Sequence, residues 1–552
     1  MCNEAFGLGG REHMDRDIDV VVIGAGPTGL ATALGLTRRG VATLVVERQR
    51  EPSTLPRARA LNGRTMEVLR RLGVANAISA RATLPQPGSS IPFTFAETLA
   101  TAGAPRELSP SSNGRRDYGP APAVLCPQAV VEEILRAELP DGVLHPGVRA
   151  VPSAEVDDQV LVQLDGEGGR RMVRARYVVA ADGANSATRA ALGAEMRDVR
   201  GSASSLLVHF RADLSPWTGP QPSNIYFLGG VDGRCFLQPG AGPHEWVLNR
   251  IIELGAEPPA NELCIESATR IVHHAVGAEP GVEVVAQSHW RLRSGVAERF
   301  VVGRVALAGD AAHVVSPFSG SGLNLGIQDA DNVAWKIAAV LAGHAGTSLL
   351  DSYEPERRPA AQLTVDEDRR SLRAAVESGP TWRAWAEIVG ARLAKAGLEY
   401  GIRYLSGAVE HTLGAASPPL LGSYAEYRPA AAPGDRAPHV WLPDDPERSI
   451  LDLFGNGHVM LTADPSWVAP VEEAAGACRT PVRTVVLAPG AQWLATYGIS
   501  TTGAVLVRPD GYVAWRAETG IDPARRGALL KSILGSCLFL HRSDEHQASI
   551  LS

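Results

Sequence analysis

Gly24, Gly26 and Gly29 stand at GxGxxG spacing, directly after the apolar, β-branched run of residues 19–23. Behind them comes a helical pattern with Leu30, Ala33 and Leu34 on one face. A strand, a tight turn and a helix start in that order suit the pyrophosphate of a dinucleotide. Gly24 makes the turn, Gly26 lets the backbone approach the phosphates, and Gly29 lets helix and strand pack closely. The helix that opens at Pro27 and Thr28 points free N–H groups at an anion. Residues 42–46 form a second strand that closes with Glu47, about 20 residues past the motif, where a ribose hydroxyl is held. Alone the glycines are weak evidence; two flanking strands and the acid make them strong. A dinucleotide is the expected ligand.

Two more turns place an aspartate at a strand end: Asp182-Gly183 after residues 177–181, and Gly309-Asp310 after the short apolar stretch from residue 303. A bare aspartate in a core would be a costly charge that needs partners. His313 follows the second turn and is expected to be structural rather than a base. Next, Pro317, Phe318, Gly320, Gly322, Leu323 and Asn324 carry a flexible loop into a helix. On that helix Ile327, Ala330, Ala334, Ile337, Ala338 and Leu341 keep the i, i+3, i+4 stripe. The loop of residues 48–59 is rich in arginine and proline, including Arg48 and Arg57, and by itself reads as solvated surface.

The elements that must position these groups fill a chain of 552 residues, enough for two or three domains. A net charge of -7, from 53 basic and 60 acidic residues without a long run of one sign, argues against nucleic acid or an anionic membrane as partner. Six scattered cysteines, without a CxxC pair or zinc spacing, read as reduced thiols of a cytoplasmic protein, and no metal is expected. The best apolar run, residues 333–341, is short and broken by Lys336. Residues 1–17 read as a loose leader. The fold class is α/β: a Rossmann-like nucleotide-binding domain of residues 18–90, 121–200 and 291–375, carrying an inserted antiparallel sheet of residues 91–120 and 201–290. Residues 376–426 form a helical connection, 427–438 a Pro/Ala-rich linker and hinge, 439–540 a β/α domain, and 541–552 a tail. An inserted sheet is a natural pocket wall, so Tyr226, Phe236, Trp246 and the Pro317-Phe318 loop are expected to line a substrate site.

Taken together, residues 24–30, Ala181-Asp182-Gly183, and the stretch from Ala308-Gly309-Asp310 to Gly322-Leu323-Asn324 resemble the FAD-dependent aromatic hydroxylases. Those are single-component flavoprotein monooxygenases with the para-hydroxybenzoate hydroxylase fold, and the resemblance covers about residues 18–375. The segments around Pro433 to His439 and Gly503 to Trp515 are similar to the C-terminal thioredoxin-like domain of the phenol- and polyketide-hydroxylase branch, which has lost its redox cysteines.

The resemblance implies that Gly24, Gly26 and Gly29 cradle the FAD pyrophosphate and that Glu47, beside Arg48, takes the adenosine ribose. It implies that Asp310 holds the ribityl chain and that the helix from Gly322 aims at the flavin N1–C2=O edge. Arg57 and Gln128 match FAD-contacting positions, although Leu125-Cys126 stand where an arginine often precedes that glutamine. Asp182 is implied to lie near flavin and nicotinamide, against a plain turn aspartate. With a single dinucleotide fingerprint, NADPH or NADH must visit as a transient co-substrate. The implied activity uses dioxygen, through a flavin C4a-hydroperoxide, to hydroxylate a phenolic or polyketide-type aromatic substrate, the chain acting as a monomer or homodimer. Epoxidation, Baeyer–Villiger oxidation, and a flavin-binding protein that recruits a partner remain open at this point.

Overall fold

The computed structural model describes residues 18–53, 55–82, 92–103, 106–107, 118–220, 222–230, 235–240, 242–252, 264–316, 320–377, 395–410 and 419–540. Its centre is a parallel sheet whose strands run Val305–Leu307, Gly169–Ala180, Ile18–Ile23, Thr43–Glu47 and Leu144–Pro146 in spatial order. Strands Ile18–Ile23, Thr43–Glu47 and Val305–Leu307 and the last four residues of Gly169–Ala180 are apolar, valine-rich runs without alternation, which is what burial on both faces demands. Helices Pro27–Thr37 and Gly322–Leu341 supply much of the buried layer beside it. Strands Arg149–Val156 and Gln159–Gly166 extend the sheet as an antiparallel meander.

The inserted layer is an eight-stranded sheet in the order His313–Val314, Glu283–Ala297, Met196–Arg211, Glu245–Ile252, Cys235–Pro239, Ile225–Leu228, Pro92–Ala96, Arg106–Glu107. Helix Ile265–Val276 covers one of its faces with Ala268, Ile271, Val272 and Ala275.

The C-terminal thioredoxin-like domain has a four-stranded sheet, Val482–Val486, His458–Thr462, Ala504–Val507 and Val513–Ala517, flanked by helices Val468–Ala477, Ala491–Tyr497 and Pro523–Cys537. The last helix starts where Asp522 caps it by accepting the Ala524 N–H. Cys478 and Cys537 are free thiols, and burial pushes the Cys537 thiol up to about 12, far from a redox-active thiolate. Replacing Cys478 with serine is therefore expected to leave turnover unchanged; a large loss of activity in a stable variant would show a redox role.

Within residues 427–438, expected to be a linker and hinge, residues 428–430 are exposed while Tyr427, Ala431 and residues 436–438 are buried. Arg436 is 2 % exposed and forks onto both Glu67 oxygens, while its guanidinium also donates to the Tyr427 hydroxyl and the Tyr118 carbonyl. A second buried cluster sits beside it. Glu356 accepts from Lys336, Asn332 and Ser406 and from both ends of the Arg508 guanidinium, which also pairs with Asp510. A proline- and alanine-rich composition is compatible with this because the chain there packs rather than swings, with Ala431 and Ala437 fully enclosed.

His458 lies against Trp335 in the same layer, and burial with the nearby Arg508 charge lowers its pKa to about 4. A folded pKa below the unfolded value contributes stability above the unfolded pKa of 6.5, and that stability is lost as pH falls toward 4. The expected loss from this group between pH 7 and pH 5 is about 2 kcal/mol. Thermal unfolding of His458→Asn should be correspondingly less sensitive to that pH change than the parent chain.

Candidate active site

The glycine loop is built by close approach. A Cβ on Gly24, which sits at φ +103°, would lie 2.3 Å from the Ala181 carbonyl oxygen, and one on Gly29 would lie 1.9 Å from the Gly24 carbonyl oxygen. At Gly26 the same Cβ would meet nothing within 4 Å, so this side is open to an incoming phosphate. Helix Pro27–Thr37 starts there without a side-chain cap or an acidic residue in its first turn, which leaves its positive end uncompensated. Glu47 closes the loop from behind, accepting the Ala25 and Gln49 N–H groups, both at 2.8 Å. Thr28 turns inward, and a Cβ on Gly309 or Gly326 would run into its Oγ1 at 2.6 or 2.2 Å. The helices Pro27–Thr37 and Gly322–Leu341 can cross only over glycine.

The second corner is the turn Gly309–Ala311 after strand Val305–Leu307. Gly309 takes φ +60° and donates its N–H to Asp329 at 3.0 Å. Asp310 is exposed, and no hydrogen bond to its carboxylate is formed among the described residues. The surrounding protein raises its pKa through desolvation, partly offset by the charges of His313 and Arg57. Asp310 Oδ1 lies 3.9 Å from where a Cβ on Gly322 would be, at the start of helix Gly322–Leu341. That helix also lacks a side-chain cap and a first-turn acid. Two helix N-termini without side-chain caps and one carboxylate without a hydrogen bond among the described residues therefore lie close together.

Other expected site residues have structural commitments. Asn324 accepts the Asn62 N–H and donates to the Ala60 and Gly320 carbonyls, fixing the loop ahead of Leu323 and Gly322. Asp182 accepts from Ser186 Oγ and the Thr188 N–H, and so caps helix Ala187–Ala191. Gln128 opens helix Gln128–Ala137, donates its side-chain amide to Glu132, and ties its own N–H to Ala58. Arg48 and Arg57 are exposed, with Arg57 close enough to Asp310 to influence its titration. His313 is buried against Asp329 at 2.6 Å, a structural place, as its sequence context suggests. Pro317 and Phe318 lie outside the described residues. Two contributions were not anticipated: Arg189 bridges the Ala184 and Ala311 carbonyls and so joins both acidic turns, and Arg59 reaches the Pro239 carbonyl of the inserted sheet at 2.8 Å. An arginine-rich loop beside a glycine motif is the signal that was read as surface.

The inserted sheet presents two faces, and its register assigns each side chain to one of them. Tyr226, Leu237, Leu248, Val208 and Phe210 pack with helix Ile265–Val276. Tyr226 accepts the Ser223 N–H and Trp246 donates to the Ala212 carbonyl, so both are turned away from the cleft and are core residues. The opposite face carries Phe93, Phe95, Phe227 and Phe236 as one aromatic cluster, with Phe95 and Phe227 stacked at 4.9 Å. Of the three expected wall residues, Phe236 alone is on this side. Ser294, on the same face, donates to Asp368, which also accepts from Ser316, the residue before Pro317. Trp246→Phe is therefore expected to cost about 1 kcal/mol of stability and leave substrate KM nearly unchanged. Phe227→Ala should raise KM at least about tenfold. Steady-state kinetics on both variants checks this, and equal KM values would reverse the assignment of faces.

Residues 17–368 match the FAD binding domain family, and residues 430–537 match the C-terminal domain of aromatic-ring hydroxylases. The chain is 33% identical over 533 residues to the 4-methyl-5-nitrocatechol 5-monooxygenase of a Burkholderia species, covering 91% of this chain and 95% of that protein. It is 34% identical over 539 residues to the aklavinone 12-hydroxylase of Streptomyces purpurascens, covering 93% and 97%. Aklavinone-11 hydroxylase, solved in a ternary complex with FAD and aklavinone, superposes with a TM-score of 0.83 at 32% identity over 95% of this chain and 99% of that one. The flavin-dependent monooxygenase PieE, solved with FAD and substrate, gives 0.85 at 28% identity over the same shares. The open side at Gly26, the uncapped helix ends and the unpaired Asp310 fit FAD, and the chain belongs to the FAD-dependent aromatic-ring hydroxylases, as an FAD-dependent monooxygenase.

Proposed function

We propose that the protein hydroxylates a phenolic or polyketide-derived aromatic ring, consuming dioxygen and NAD(P)H. The balance is ring C–H plus dioxygen, NAD(P)H and a proton, giving ring C–OH, water and NAD(P)+. FAD, held by the Gly24 to Gly29 loop and Asp310, would supply the redox chemistry of hydride uptake from the nicotinamide and of dioxygen activation. The observation that carries this reading is the position of Asp310 against the N-terminus of helix Gly322–Leu341; the sheet face with Phe93, Phe95, Phe227 and Phe236 is the wall we assign to the substrate.

Each part of the chain has a task there. The Gly24 to Gly29 loop and its helix hold the pyrophosphate, and Glu47 takes the ribose from below the loop. Asp310 orients the ribityl chain, while the partial positive charge of the Gly322–Leu341 helix end stabilises negative charge that develops on the reduced ring system. The aromatic face excludes water and stacks the substrate ring. With one glycine fingerprint, already assigned to FAD, NAD(P)H docks transiently.

Reduction without a target wastes NAD(P)H, so the correct substrate is expected to accelerate flavin reduction at least about tenfold, or roughly 1.4 kcal/mol of barrier. A panel of phenols and hydroxylated polycycles, scored for stimulated NADPH oxidation and followed by stopped flow, tests this. One atom of labelled dioxygen should appear in the product. Product oxygen drawn from water would end the monooxygenation proposal for that substrate; reduction equally fast without substrate would end the gating alone.

A further inference from the structure

The buried charges that the cleft does not use converge on the helix Tyr353–Glu377, between the Gly309 turn and the C-terminal domain. Asp329 Oδ2 accepts the Gly309 N–H at 3.0 Å and lies 2.6 Å from His313 Nε2. Its other oxygen accepts from Arg357 Nε at 2.7 Å. Arg357 Nη2 donates to the Leu325 carbonyl at 3.2 Å, and Nη1 donates to the Tyr404 hydroxyl at 3.1 Å. Tyr404 is gripped from the far side: its ring stacks on Tyr512 at 3.8 Å and 15°, and its N–H donates to the Gly434 carbonyl. The Gly434 N–H in turn donates to the Val513 carbonyl on the C-terminal hairpin. Asp329, His313, Arg357 and Tyr404 are all 2 % exposed or less.

We propose that Tyr404 is a positioning residue for FAD, carrying the hold of the C-terminal domain through Arg357 and Asp329 to the Gly309 amide. The inference rests on the assignment of Asp310 as a flavin ligand. Gly309 has no side chain to wedge its left-handed conformation, so its N–H bond to Asp329, together with the Ala312 N–H bond to its carbonyl, sets the direction in which Asp310 leaves the turn. A carboxylate acts on a ligand only within a narrow angular range, and that range is fixed by the groups behind it. Arg357 can hold Asp329 in place only while its own fork is occupied. Tyr404 occupies the one branch that leads out of the nucleotide-binding domain. On this account the C-terminal domain, without a residue in the cleft, is part of the cofactor site.

The test compares Y404F with Y497F in apoprotein titrated with FAD by flavin fluorescence. Tyr497 is an equally enclosed tyrosine whose hydroxyl donates to the Pro438 carbonyl inside the C-terminal domain, with no line to the turn. Y404F is expected to weaken FAD binding at least about tenfold, and Y497F by less than about twofold, while both lower the melting temperature of the apoprotein to a similar extent. R357K should recover part of the FAD affinity lost in R357M. Y512L, which removes the stack without touching Arg357, should act in the direction of Y404F and serves in its place if Y404F does not fold. Equal FAD affinity in Y404F and Y497F would overturn the proposal. Parent apoprotein that takes up no FAD would overturn the cofactor assignment instead, and Asp310→Ala with parent-like affinity would remove the premise at Asp310 alone.

Discussion

Asp310→Ala is expected to purify as a folded protein that is almost colourless, binding FAD at least about 100-fold more weakly than the parent chain, equivalent to roughly 2–3 kcal/mol. The magnitude is that of a charge-assisted hydrogen bond made in a desolvated site. Folding should not suffer, because among the described residues the carboxylate has no hydrogen-bond partner to lose. Its pKa is raised by the surrounding protein, chiefly through desolvation. The ratio of flavin to protein absorbance reports occupancy, and thermal unfolding of the apoprotein reports stability. Full occupancy in this variant would refute the role given to Asp310.

Arg508→Met should have the largest effect on stability, about 3–5 kcal/mol, because it leaves Glu356 and Asp510 enclosed with one cation fewer. Burial by itself would raise both carboxyl pKa values; Arg508, with Lys336 beside Glu356, outweighs burial and holds them below the usual range. A depressed folded pKa contributes stability above the unfolded value, and that stability is lost as pH falls. In the variant the depression is weakened. The deficit relative to the parent is therefore expected to be full above the unfolded carboxyl values of 4.5 and 3.8 and to narrow as pH falls below them. Urea unfolding at pH 7 and at about pH 3.5 measures it; a deficit of the same size at both values would mean that lost packing, not uncompensated charge, is responsible.

The parts legible in the sequence were those with a local steric reason. Gly24 and Gly29 announce themselves because no side chain fits there, and the parallel strands do so because burial on both faces removes any polar alternation. The Asp310 turn was legible through its motif. What the pattern did not carry was direction. Period-two alternation separates Tyr226 from Phe227 but does not say which of them meets the cleft, nor what the polar tips of Tyr226 and Trp246 bond to. Those tips are satisfied by backbone groups at Ser223 and Ala212, a local arrangement that residue types do not reveal. The joint between domains was hidden by distance along the chain, since Arg436 and Glu67 are 369 positions apart. One hint was available. Lys336 breaks an otherwise apolar helical stretch, and a lone cation in such a stretch signals an enclosed partner, here Glu356.

The two-faced sheet also sets the terms on which the specificity of this scaffold can be engineered. Because neighbouring positions on one strand belong to different environments, a combinatorial library confined to Phe93, Phe95, Phe227 and Phe236 diversifies the proposed wall without touching the layer beneath helix Ile265–Val276. Randomising whole strands would instead fill the population with misfolded clones, since every second codon would fall on that layer. The strand register thus divides the domain into positions open to selection for new aromatic substrates and positions that must be inherited unchanged.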